Sequence, residues 1–168
     1  MSTLVDFQLR ELARTGGLIE PFNPDQVNPA SYDVTLGPVI KREGVGGEDR
    51  WVSVDVSSKP YVLAPGEFVL AATAEYIRVP VSLECVFNLK SSRGREGYEH
   101  LLAGYIDPGF HGEITLELCN VNRHHRLPLV QGMKIGQIRF ARLDATPHRS
   151  YALTGRYHED RGVVASKG

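Results

Sequence analysis

Short apolar runs separated by turn residues set the pattern of this chain. In "SYDVTLG", residues 31–37, Tyr32, Val34 and Leu36 share one face, the period-two alternation of a half-buried strand. "RWVSVDV" (50–56) alternates in the same way. "YVLAPGEFVLAATAEYIRVP" (61–80) predicts two strands around a Pro-Gly turn, then a third short segment. "LECVFNLKSS" (83–92), "LLAGYID" (101–107), "EITLELCN" (113–120), "LPLV" (127–130) and "KIGQIRFARL" (134–143) supply further strands. Only "LVDFQLRELAR" (4–14) follows helical spacing, through Leu4, Leu9, Leu12 and Ala13, and Gly16-Gly17 end it. "REGVGGED" (42–49) reads as a flexible surface loop. Many short strands at near-even spacing predict an all-β sandwich or barrel with one short N-terminal helix.

Composition narrows the picture. A chain of 168 residues reads as a single domain, 1–168. At that size it buries about two-thirds of its unfolded surface and needs no metal or disulfide to fold. The 17 glycines and 10 prolines suit a turn-rich β architecture. A net charge of −1 and a pI near 6.6 give no sign of a nucleic-acid or membrane partner. No stretch approaches the roughly 20 apolar residues of a membrane span, and "MSTLVDFQLREL" has no basic region followed by an apolar run. Cys85 and Cys119 form no CxxC pair and read as reduced core residues of a cytoplasmic protein. The histidines lack HxxxH spacing, so no zinc site is expected, and neither a Walker-type loop nor a GxGxxG is present.

Three stretches could carry chemistry. "LKSSRGREG" (89–97) places Lys90, Arg93 and Arg95 within six residues, with Ser91 and Ser92 beside them and Gly94 and Gly97 allowing close backbone approach. Such a turn can bind a phosphate chain, or it can be a solvated basic turn. In "IDPGFHGEITLELCN", Pro108-Gly109 makes the turn, and Ile114, Leu116 and Leu118 face opposite to Glu113, Thr115, Glu117 and Cys119. Glu117 is then either a plain surface acid or a carboxylate put to use, and Asp107 either a turn-capping acid or a second working group. The segment 150–168, ending "RYHEDRGVVASKG", is either a frayed tail or a flap that closes on a ligand.

Taken in order, "PASYDVTLG", "KSSRGREG", "AGYIDPGFHGEITLELCN", "GMKIGQIRF" and the tail resemble the dCTP deaminase and dUTPase superfamily, with the dCTP deaminase branch closer. "APGEFVLAATAEYIRVP" also fits, so the resemblance covers nearly the whole chain. It implies a distorted β-barrel or jelly-roll subunit in a homotrimer with sites at subunit interfaces. It implies dCTP with Mg²⁺ carried by the triphosphate, hydrolytic deamination to dUTP without zinc, and dTTP as an inhibitor. By the same resemblance Glu117 falls on the general base, and Ser91 and Arg95 on the groups that place water and nucleotide. Asp107 falls on the acid near the deoxyribose, residues Lys90, Ser91, Ser92, Arg93, Gly94 and Arg95 on the phosphate turn, and Thr115 and Leu116 on backbone contacts to the pyrimidine. Gln137, polar inside an apolar strand, joins the nucleotide-binding set, as do Tyr151, Arg156 and Asp160.

Three positions depart from the family's pattern. Lys90 stands where Arg is usual, losing a bidentate fork. Gly104-Tyr105 replaces a His-Arg pair and looks more like bifunctional members that carry dUTP on to dUMP and pyrophosphate. Asp160 replaces a Gln and needs Mg²⁺ or a cation such as Arg161 if a triphosphate lies near. The leading expectation is dUTP-forming dCTP deamination. The alternatives are the bifunctional reaction, a dUTPase-type diphosphatase, a deaminase of another cytosine nucleotide, and a nucleotide-binding module without turnover.

Overall fold

Residues 2–168 are described by the computed structural model. Two antiparallel sheets face each other across one apolar core. The first runs Tyr105–Ile106, Leu83–Leu89, Lys134–Arg142, Ser31–Thr35, Val27–Asn28, with Ser2–Thr3 added beside Lys134–Arg142. The second runs Tyr98–Glu99, His111–Asn120, Phe68–Arg78, Val39–Glu43, Trp51–Asp55, with Ile19–Glu20 added beside Phe68–Arg78. A separate pair joins Tyr61–Leu63 to Leu127–Leu129. Tyr32, Val34 and Leu36 from one sheet and Ile114, Leu116 and Leu118 from the other meet in that core, as their alternation predicts.

The helix spans Asp6–Gly16, starting two residues later than the spacing suggested. Leu4 precedes it because its N–H donates to the carbonyl of Phe140, which ties the chain to a strand. Gly17, at φ 60°, ends the helix in the left-handed conformation that glycine adopts without steric cost. Leu9 and Ala13 are its buried face.

Phe68–Arg78 is one eleven-residue strand rather than the two segments expected. Thr73 and Glu75 break its apolar run in sequence but not in space. Thr73 Oγ1 donates to the carbonyl of Glu75 and accepts from the N–H of Ile114. The Glu75 carboxylate accepts from the Thr35 N–H and hydroxyl, each at 2.9 Å, and from Gln26 Nε2 at 3.1 Å. Buried polar groups so satisfied are compatible with a buried strand. The register of Phe68–Arg78 against His111–Asn120 shifts between Glu113 and Thr115, a bulge of the kind that re-aims side chains beside a site.

Residues 91–96 form a short helix, Ser91–Glu96, where a turn was expected. The tail packs against the second sheet. After the turn of helix Tyr151–Thr154, Asp160 bridges Gly112 in parallel.

Candidate active site

Glu117 stands on the outer face of the second sheet, opposite Leu70, while its neighbours Leu116 and Leu118 point into the core. The outer face would normally be wet. Here Val163 and Ala165 of the tail cover Leu70 and Ala72, with Trp51 and Phe68 in the same apolar cluster. Glu117 is therefore half-buried, and burial pushes its carboxyl above the ordinary range.

Asp107 comes from the turn that precedes the same strand. The N–H of Phe110 closes that turn on the main-chain carbonyl of Asp107, with Gly109 at φ 88°. The turn is thus held by backbone, and the Asp107 carboxylate is not what closes it. Both acids line one cavity of about 500 Å³. Thr115, Tyr151 and Asp160 line it too, as does Tyr105 of the Gly104-Tyr105 departure, together with Trp51, Phe68, Leu70, Tyr157, Val164 and Ser166, which sequence reasoning did not select. Trp51 and Phe68 carried only the signal of a strand pattern. Their place at the site depends on which strands are neighbours.

The tail is fixed by polar contacts. Gly162 N–H donates to Glu113 Oε2 at 2.6 Å, and Val164 N–H to Thr115 Oγ1 at 3.2 Å. Lys167 Nζ sits 2.7 Å from Asp160 and 2.8 Å from the carbonyl of Arg156. The cation that accompanies Asp160 is therefore Lys167, not Arg161. Arg161 lies over the Tyr76 ring, 3.7 Å from Glu113.

Several expected site residues lie elsewhere in the chain. Lys90 is bonded to Asp33 through both carboxylate oxygens at 2.7 Å, so it serves the buried base of the helix rather than facing solvent as part of a free basic cluster. Ser91, Ser92, Gly94 and Arg95 are exposed, and Arg93 pairs with Glu96 at 2.7 Å beneath Tyr98. None of these borders the cavity that holds Glu117. They follow a strand of the first sheet, whereas Glu117 sits on the second. Gln137 accepts from Ser31 Oγ at 3.3 Å on the first sheet. The Leu116 side chain is core, which leaves only its backbone for a ligand. Arg156 is exposed and outside the cavity lining. One chain thus assembles Asp107, Thr115, Glu117, Tyr151 and Asp160 and leaves the basic helix apart.

Residues 3–143 match the dCTP deaminase-like family. The chain belongs to that family. An Aquifex aeolicus protein named dCTP deaminase, dUMP-forming, is 39% identical over 171 residues, 98% of this chain and 93% of its own. A Rhodococcus jostii protein of the same name is 38% identical over 183 residues, 98% of this chain and 95% of its own. The crystal structure of a 2'-deoxycytidine 5'-triphosphate deaminase from Agrobacterium tumefaciens superposes with TM-score 0.68 at 25% identity, over 83% of this chain. This chain spans about half of that protein, 48%. A dUTPase mutant of Staphylococcus aureus phage phi11 has TM-score 0.51 at 14% identity and shares the fold. The dCTP deaminase-like chain is an enzyme of mainly β, dUTPase-like architecture. Among its described residues no helix is long and apolar enough to cross a membrane. Both of these relatives carry names that specify dUMP, whereas the leading expectation from the sequence is dUTP.

Proposed function

We propose that this protein is a bifunctional dCTP deaminase and dUTP diphosphatase, converting dCTP through dUTP to dUMP and pyrophosphate. The observation that carries the reading is the pair Asp107 and Glu117 in one cavity. Deamination needs one base near C4 of the ring, and cleavage at the α-phosphate needs a second on the sugar side. Gly104 supports the same product. A Cβ there would lie 2.2 Å from the carbonyl oxygen of Phe87, so this backbone has no room for the histidine of dUTP-forming relatives.

Glu117 takes a proton from the water that adds to C4 of cytosine. It passes that proton to N3, and a second proton transfer releases ammonia, so that dCTP and water become dUTP and ammonia. One carboxyl group can act as base and then acid when its pKa lies near the working pH, and burial moves Glu117 in that direction. Asp107 activates a second water toward the α-phosphate, giving dUMP and pyrophosphate. Mg²⁺ arrives as part of the nucleotide substrate and balances the triphosphate charge. Thr115 and the backbone at Leu116 hold the pyrimidine, and the tail, with Tyr151, Arg156 and Asp160, closes over the ligand.

The separation of the basic helix from the cavity supports a homotrimer in which Ser91, Ser92, Arg93, Gly94 and Arg95 of one subunit, together with Gln137, complete the site of the next, with Lys90 anchoring that helix to Asp33. dTTP, with the same sugar and a pyrimidine of similar shape, is expected to occupy the same site as an inhibitor. Free Cys85 and Cys119 fit a reducing cytoplasm.

The test is incubation with dCTP and Mg²⁺, measuring ammonia, dUTP, dUMP and pyrophosphate together. Ammonia with equal dUMP and pyrophosphate is expected. Ammonia with dUTP alone would overturn the diphosphatase half.

A further inference from the structure

His111 and His158 face each other where the site strand meets the tail. Their ring centroids are 5.2 Å apart and their planes are 36° from parallel. Main-chain bonds fix this meeting. Glu159 N–H donates to the carbonyl of His111 at 2.7 Å, and Glu113 N–H to that of Asp160 at 3.0 Å. His158 Nδ1 is buried without a hydrogen-bond partner. An N–H at that position is a buried donor with no acceptor, which is costly.

The charges around the pair oppose double protonation. Arg78 is the register partner of His111 and is bonded to Glu20 at 2.7 Å. Arg161, from the tail, is 3.7 Å from Glu113. Both arginines lie over the ring of Tyr76. Glu159 is 3.9 Å from His158 Nε2. Each arginine thus has its own acid, and Glu159 must serve both imidazoles. A proton on His111 meets Arg78 and, when His158 is also charged, a second cation. Burial first, then His158 and Arg78, already hold the His111 pKa below its usual value, with Glu159 opposing.

We propose that His111 and His158 form a proton-operated latch on the C-terminal tail. With both rings neutral the tail lies closed over the cavity. When the pair gains charge, the rings part and residues 157–166 lift away. The opened tail binds more protons than the closed one, so opening is favoured as pH falls. Closure is complete above the ordinary histidine range, about 6.5, and is lost below it.

Trp51 is the chain's single tryptophan and packs against the apolar cluster that the tail completes with Val163, so its emission reports whether the tail is seated. The experiment titrates the full chain from about pH 8 to about pH 5, on either side of the histidine range, without nucleotide. Emission is expected to shift to longer wavelength with a midpoint below about 6.5, while far-UV circular dichroism stays constant. Amide exchange at Gly162 and Val164, corrected for the intrinsic pH dependence, should rise about tenfold or more over the same range. His111→Gln should abolish the transition, and His158→Gln should weaken it and move its midpoint. The proposal is overturned by emission that does not change, by a transition that persists in His111→Gln, or by one that accompanies loss of secondary structure. Because no nucleotide is present, the result is independent of the proposed reaction.

Discussion

Lys90 Nζ holds both carboxylate oxygens of Asp33 at 2.7 Å. Asp33 is nearly buried, with 4% of its side chain exposed, and also meets Lys134 at 3.1 Å and Asn28 at 2.9 Å. Burial alone would raise its pKa. The bonds from Lys90, Asn28 and Lys134 outweigh that and hold it below the ordinary range. A lysine suffices where the partner is one buried carboxylate, which gives the departure from arginine a physical reason.

Lys90→Met should therefore destabilise the protein. Breaking a buried pair typically costs about 3–5 kcal/mol, and Lys134 and Asn28 reduce that here. A depressed carboxyl contributes stability above its unfolded pKa, about 3.9, and that contribution is lost as pH falls through the folded value. The urea midpoint should drop clearly at pH 7 and less at pH 3. An equal drop at both would remove the ion pair as the cause.

Glu117→Gln should abolish ammonia release while the protein stays folded. Because burial raises the Glu117 pKa, its charged form costs folding stability above about pH 4.3. The glutamine variant should melt slightly higher than the parent at pH 7. In the parent, kcat/KM should fall on the acid side at a pH above the usual carboxylate range. Normal ammonia production by the variant would exclude Glu117 as the base.

Asp107→Asn separates the two half-reactions. With dUTP as substrate, pyrophosphate release should drop roughly 10²–10⁴-fold. Ammonia release from dCTP should fall by less. Equal losses in both assays would mean one shared role in holding the sugar.

Mixed subunits test the shared site. Glu117→Gln and Arg95→Ala chains, each inactive alone, are unfolded together and refolded as a mixture. About one-quarter of sites should then carry both native residues, and activity should return to that level. No recovery in verified mixed oligomers would place both residues in one subunit's site.

Gly104→Ala should cost about 1–3 kcal/mol, because the new Cβ meets the Phe87 carbonyl at 2.2 Å and that carbonyl cannot move without disturbing its strand. Thermal denaturation measures it. An unchanged melting temperature would mean that the loop has an alternative path.

Much of the fold was legible in the chain because a half-buried strand writes its burial into alternation. Ile114, Leu116 and Leu118 marked the core face and so placed Glu117 on the opposite one. Gly16-Gly17 ended the helix, and Pro108-Gly109 made the turn. Phe68–Arg78 was misread because Thr73 and Glu75 look like a break, and their partners Ile114, Thr35 and Gln26 are remote in sequence.

The sequence alone determined the strand-rich class, the face on which Glu117 lies, and the family, because these rest on local periodicity and on ordered motifs. Only the tertiary structure decided that the tail roofs Glu117, that Lys90 belongs to Asp33 57 residues away, that Lys167 accompanies Asp160, and that His111 meets His158. Those pairings depend on which strands become neighbours and on where the tail returns. Local propensity carries no information about either.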